Sequence, residues 1–172
     1  SASQAATANQ TENERLMAFF GQAFNDQVAL SPTTQTQLGL KTDQDKWDQL
    51  TDEQYQKSLQ LVKTQLQQLE QFDVKALDAQ NQLSYQLFKQ DAEQQLADEQ
   101  WRLYNYPVNQ MFGTHTMVPS LLINQHQISN ETDAKAYIAR LNGVLPLFNQ
   151  LTVQLDKRAE LGIIPPKFVF AH

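Results

Sequence analysis

The chain contains no cysteine. That excludes disulfides, thiolate metal sites and cysteine nucleophiles, and it leaves the compartment open. Glycine is scarce, with five residues that are also scattered, so no glycine-rich loop can cradle a phosphate. Positive charge is in short supply. Thirteen Lys and Arg face nineteen Asp and Glu, for a net charge of -6 and a pI of about 4.9. No basic stripe exists to track a phosphate backbone, which argues against nucleic acid as a partner. No apolar run is long enough for a transmembrane segment. A signal peptide is also missing, although the chain opens at Ser1 without a methionine, which reads as a processed or cut chain.

Glutamine fills the gap, at about one residue in six. It is a good helix former, and here leucines and aromatics interrupt it at helical spacing, unlike a prion-like tract. The apolar fraction of 41% over 172 residues suits one domain with a proper core. Residues 1–11 are small and polar, and read as a flexible tether ahead of a helical domain over 12–172.

The expected fold is all-α, a bundle of about four longer amphipathic helices plus short ones. Leu16, Phe19, Phe20, Ala23, Phe24 and Val28 recur at steps of three and four, predicting a helix over about 12–30. Ser31-Pro32 reads as an N-cap followed by proline at the first helical position, with Gly39 as the stop. Thr51 to Gln54 has the form of a capping box, ahead of a seam of Tyr55, Leu59, Val62, Leu66 and Leu69. A third long helix is predicted over about 78–101, with Leu83, Leu87, Phe88, Ala92 and Leu96 facing inward. A fourth starts near Asn130 and would bury Tyr137, Ile138, Leu141, Leu145, Phe148, Leu151 and Leu155. Pro146 should kink it near Asn142, with Lys157 and Arg158 in the last turn and Gly162 as the stop.

Catalytic signatures are incomplete. The histidines are His115, His126 and His172, with no HExxH helix to hold zinc. Asp43 and Asp45 begin an EF-hand-like spacing, but Trp47, Asp48 and Gln54 stand where a ligand, a glycine and a bidentate glutamate are needed. Ser120 lacks a nucleophile elbow. Asn9-Gln-Thr11 and Asn130-Glu-Thr132 match glycosylation sequons, and the second already reads as a helix start.

One stretch resists the helical reading. "NYPVNQMFGTHTMVPSLLINQH", residues 105–126, crowds prolines, amides, methionines and two histidines together. An irregular loop and short-helix region is expected over 105–129, with a helix exit at Tyr106-Pro107, a turn at Gly113 and a short apolar helix from Met117 to Ile123. Such segments gather binding residues. The competing reading is a plug for the bundle. The apolar ending "GIIPPKFVFAH" reads either as a chain that once continued or as a tail docked back on the bundle.

An ordered series of short pieces carries a family resemblance: "LMAFFGQAF", "QLGLK", "WDQLTDEQY", "LSYQLFKQD", "YPVNQMFGTH", "AYIARL" and "GIIPPKFV". Together they cover nearly the whole chain beyond the tether. In them the sequence resembles the bacterial family known as domain of unknown function 885, whose members include exported lipoproteins. The resemblance implies that this chain is the N-terminal part of a longer, mostly helical protein that looks like a zinc metallopeptidase. In such a protein the HExxH helix lies well downstream, so the zinc and the general base belong to the parent and no cofactor is expected here. Asn109, Gln110, Gly113 and His115 match the family's loop and are candidates for the wall of a substrate cleft.

The implied parent reaction is amide hydrolysis, with zinc polarising the carbonyl and a glutamate as base. The implied partners are the remainder of the parent chain and, in the parent, a peptide substrate. An exposed apolar face would also favour self-association. The implied location is periplasmic or lipid-anchored to the bacterial envelope, with the anchor outside this chain. The other reading is a free-standing helical binding or adaptor domain of the envelope, using a groove beside the irregular stretch.

Overall fold

Capping chemistry sets most helix starts in the computed structural model, which describes residues 10–101 and 108–163, without the side chains of 100 and 108–113. Among these residues there are six α-helices and no strand. Helix α1 (Glu12–Ala29) begins at Thr11, whose hydroxyl accepts from the Glu14 amide while the Glu14 carboxylate accepts from the Thr11 amide. Thr11, the last residue of the expected tether over 1–11, thus caps this helix, and residues 1–9 of that tether lie outside the described residues. Helix α2 (Pro32–Gln37) starts from Ser31 with Pro32 in its first turn, and Gly39 beyond it adopts φ +79. Helix α3 (Asp52–Leu69) starts from Thr51, whose hydroxyl accepts from the Gln54 amide. Only half of the expected box forms there, because the Gln54 side chain reaches the Leu30 carbonyl instead.

Helix α4 (Ala79–Asp98) is capped by Asp78 and runs into a 3-10 turn, Glu99–Trp101. Helix α6 (Glu131–Glu160) is capped by Asn130, passes Pro146 without interruption, and is closed by Gly162 at φ +75. Lys157 near its end pairs with Asp52, and Gln154 donates to the same carboxylate, tying α6 to the start of α3. Each cap contributes about 1 kcal/mol.

Two apolar clusters hold these helices. In the first, α3 and α4 pack together and α1 lies on both. Leu16, Leu69, Leu77 and Tyr85 are buried there, ringed by Phe19, Phe20, Phe72 and Phe88. The Phe19 and Phe88 rings meet edge to face at 5.4 Å, a geometry aromatic pairs prefer. Gln65 is buried within the α1–α3 contact, where it donates to the Ala23 carbonyl and accepts from Gln27, so its desolvated amide is satisfied. The second cluster sets Trp47 against Val118, Leu121, Leu122 and Leu147. Gly143 permits the close approach of α6 to the indole, since a Cβ there would stand 3.1 Å from Trp47 Cδ1.

Three expectations need correction. First, residues 108–120 are helical rather than irregular. Helix α5 (Val108–Ser120) includes Gly113, and a π-helical turn, Leu121–Gln125, follows it. Pro119 lacks the amide that would continue the ordinary ladder, and the next turn widens until the His126 amide reaches the Leu121 carbonyl at 2.8 Å. Among the described residues of the expected stretch, irregular chain is confined to 126–129, while the expected exit at Tyr106-Pro107 and the apolar ending over 164–172 lie outside the described residues.

Second, Leu83 and Leu87 point outward on α4, which buries Tyr85 and Ala92. Third, α6 turns Ile138, Leu141 and Leu145 to solvent and buries Asp133, Ala136, Arg140, Leu147, Leu151, Gln154 and Arg158. The orientation of α6 follows its hydrogen-bond partners and the indole of Trp47 rather than its most apolar stripe.

Candidate functional site

Of the predicted site residues, His115 is the one whose side chain is described. Asn109, Gln110 and Gly113 lie on α5, but their side chains are outside the described set. His115, two residues after Gly113, is exposed on the same helix. The structure instead assembles a buried polar centre from residues that sequence reasoning had treated separately: loop 39–50, the end of the π turn and the first turns of α6.

Arg140 is its hub. It is fully buried, and its Nε donates to the Lys46 carbonyl at 3.0 Å. One terminal nitrogen donates to the Pro32 carbonyl at 3.3 Å and the other meets His126 Nδ1 at 3.0 Å. The guanidinium also stands 5.5 Å from the Trp47 ring, and the indole N–H donates to the Arg140 carbonyl at 2.9 Å. Burial pushes the Arg140 pKa down, while the charges of Asp45 and Asp48 oppose that shift.

A guanidinium has no acceptor, so His126 Nδ1 must receive its hydrogen bond. The proton then sits on Nε2, which donates to the Asp133 carbonyl at 3.0 Å. Both ring nitrogens are thereby engaged, and the ring edge lies against Tyr137, with centroids 5.2 Å apart.

Asp133 stands one helical turn into α6, where its carboxylate is favoured by the helix dipole. It accepts from the Lys41 ammonium, from Gln44 at 3.0 Å, and from both the amide and the hydroxyl of Ser129. The Lys41 hydrogen bond foremost, then those from the Ser129 backbone, Gln44 and the Ser129 hydroxyl, hold its pKa far below the usual carboxylate range.

A pH dependence follows. The unfolded carboxyl titrates near pH 3.9, so below that value the unfolded chain gains a proton that folded Asp133 refuses. Its stabilisation is full above that pH and is lost as pH falls toward the depressed folded value. Urea midpoints at pH 7 and pH 3 should differ less for Asp133→Asn than for the parent chain. Equal differences in the two proteins would contradict this role.

The surrounding loop is tied with similar economy. Gln35 donates to the Val28 carbonyl and to Asp43, and accepts from the Thr42 hydroxyl at 2.6 Å. Asp43 itself takes φ +51, a left-handed conformation that Asp tolerates. Asp48 accepts from the Ser31 hydroxyl and from the Thr33 amide, closing the start of α2. Asp43, which opened the calcium-like spacing, is thus a hydrogen-bonded part of the loop, and Asp48 closes a helix start.

Zinc does not fit these residues. His126 has both nitrogens occupied, and among the described residues no three His, Asp or Glu side chains are grouped to hold an ion. The described residues line several concavities, two of about 450 Å³ beside α6 and two others. One, of about 430 Å³, lies between α1, α3 and α6 and is lined by Leu30, Gln54, Tyr55, Gln154 and Arg158. The other, of about 180 Å³, abuts the π turn and is lined by Lys41, Asn124, Gln125, His126 and Gln127. The last residues of the 105–126 stretch therefore border a concavity. The sequence signal that could have found the polar centre was an unexplained arginine, Arg140, amid apolar helix positions.

Comparison with family models returns one described as a bacterial protein of unknown function, DUF885, matched over residues 32–172. The chain belongs to this family. No curated protein and no solved structure matches it. The DUF885 match takes in α2 through α6, and with them the whole polar centre.

Proposed function

We propose that this DUF885 chain is a non-catalytic helical module of an exported, zinc-metallopeptidase-like protein. In this reading it supplies scaffold and, through the α5 surface bearing Asn109, Gln110, Gly113 and His115, part of the wall of a substrate cleft. The zinc, the general base and the peptide-cleaving step reside in the rest of the parent chain, in the bacterial periplasm or on its envelope.

The observation that carries this reading is how the buried ionisable groups are used. Arg140, His126 and Asp133 each have partners in backbone carbonyls, caps or one another, an arrangement that fixes architecture and leaves no group poised for proton transfer. The same centre anchors the residue that ends the π turn, and so steadies the helix that presents His115. The outward Leu83 and Leu87 of α4 offer apolar side chains for packing against further helical structure.

Two measurements test the reading. Metal analysis of the purified chain should find no stoichiometric zinc, and the chain should cleave no peptide; one tightly held zinc per chain would sink the proposal. His115→Ala should leave thermal stability of this chain within about 0.5 kcal/mol, as for an exposed residue, and should raise KM for peptide in the full-length protein. A large loss of stability with unchanged KM would make His115 structural.

A further inference from the structure

We propose that His126 is an acid-sensitive latch, and that a second proton on its ring releases the connector between the π turn and α6 from the buried polar centre. From Ile123 to Asn130, His126 is the one buried side chain. Its amide closes the π turn on the Leu121 carbonyl at 2.8 Å, and both nitrogens of its ring are held by α6. The next tie to α6 is Ser129, through its bonds to Asp133. The segment 123–128 is therefore held to α6 by a single imidazole.

That imidazole fits in one protonation state. Arg140 can only donate, so Nδ1 must keep its lone pair, and the one ring proton stays on Nε2 for the Asp133 carbonyl. An imidazolium carries a proton on both nitrogens. It would set donor against donor at Nδ1, and a cation against the buried guanidinium 3.0 Å away.

The elements packed around the ring leave that clash standing. On α6 the Asp133 carboxylate is already bound by Lys41, Gln44 and Ser129, and Tyr137 presents a neutral ring. From loop 39–50, Lys41 brings a second cation to the concavity that His126 lines. The anions of that loop have other partners: Asp43 binds Gln35 and Lys46, and Asp48 binds Ser31 and Thr33. The charges of Asp45 and Asp48 favour the protonated guanidinium, which keeps Arg140 a donor. Helix α2, which packs on the π turn, carries no charged residue, and neither does the chain from 116 to 130 apart from His126 itself.

Acid therefore favours release. A histidine in open chain gains its proton near pH 6.5. The released segment binds that proton and the latched one does not, so the released share grows as pH falls, by about tenfold between pH 7.5 and pH 5.5. This window lies above the one in which Asp133 acts. The inference does not rest on the metallopeptidase-module reading, since the chain can lack zinc and cleave nothing whether or not the latch opens.

Hydrogen exchange of the intact chain at pH 7.5 and pH 5.5, corrected for the intrinsic pH dependence of amide exchange, reads the release. Protection of the 123–128 amides should fall about tenfold at the lower pH, while the amides of α3 keep theirs. His126→Gln can accept from Arg140 but cannot gain a proton, so its protection should be the same at both pH values. His115→Gln, on the exposed surface of α5, should behave as the parent chain does. Should His126→Gln fail to fold, imidazole nitrogen NMR shifts of the parent chain give the same answer. They should show His126 protonated on Nε2 alone at pH 7.5, with its imidazolium seen only as the segment loses protection. Unchanged protection at pH 5.5, an equal loss in His126→Gln, or an imidazolium signal from a segment still protected would each overturn the proposal.

Discussion

Arg140→Met should lower the stability of the chain by about 3–5 kcal/mol, the range for breaking a buried charged network on one side. Methionine keeps the unbranched apolar stem of the side chain and removes every donor. The carbonyls of Pro32 and Lys46 and the Nδ1 of His126 would then be left in a dry interior without their partner. Each such orphan costs about 1–3 kcal/mol, although local relaxation and water entry recover part of it. The loss should fall unevenly. Amide exchange should quicken across loop 39–50 and the turn after the π segment, while the Phe19 and Phe88 cluster stays protected, because no Arg140 contact reaches it. Chemical denaturation followed by hydrogen exchange reads both effects. A change below 1 kcal/mol would show that the arginine is a passenger in its site.

Trp47→Ala should cost a similar amount, about 3–5 kcal/mol, by removing a large side chain from a packed cluster. The indole is 4% exposed and touches Val118, Leu121, Leu122 and Leu147, so its removal opens a cavity at the junction of α5, the π turn and α6. It also deprives the Arg140 carbonyl of the indole N–H and the guanidinium of its ring neighbour. The two substitutions should therefore be far from additive. Once Trp47 is gone the loop no longer holds Arg140 tightly, and the double variant should lose less than the sum. Urea unfolding of both single variants and the double variant tests this, and strict additivity would mean that the two residues act independently.

These two residues also mark where sequence reasoning stopped. Helix starts at Ser31, Thr51, Asn130 and near Asp78 were legible because an N-cap is local chemistry between residues three apart. The inward stripe of α3 was legible in its apolar spacing, and Leu59, Val62 and Leu69 are buried as that spacing predicts. The faces of α4 and α6 were read correctly at Phe88, Ala92, Tyr137, Phe148 and Leu151 and misread at Leu83, Leu87, Ile138, Leu141 and Leu145, for one reason. Apolar periodicity says that a helix has a greasy side, but it does not say that this side is the one covered. On α6 the opposite side carries Asp133 and Arg140, whose partners lie about ninety residues earlier in the chain. No local pattern announces such a pairing.

Of the predicted site, only the His115 side chain is among those described. His115 stood out as a histidine beside amides and a glycine, and the structure places it on a helix surface. His126 looked like an ordinary loop histidine and lies at the centre of the polar network. The difference depends on Pro119. It interrupts the hydrogen-bond ladder, and the following π turn brings His126 to the buried side of α6.

By itself the sequence determined the all-α class, most helix boundaries, the absence of thiol chemistry and the membership of DUF885, because these follow from composition, capping and ordered local motifs. The tertiary structure alone decided which faces are buried, where His115 and His126 go and that an arginine rather than a leucine stripe orients α6. The physical reason is that a buried charge must find every partner it needs, wherever in the chain those partners lie, whereas an apolar side chain accepts any dry neighbour.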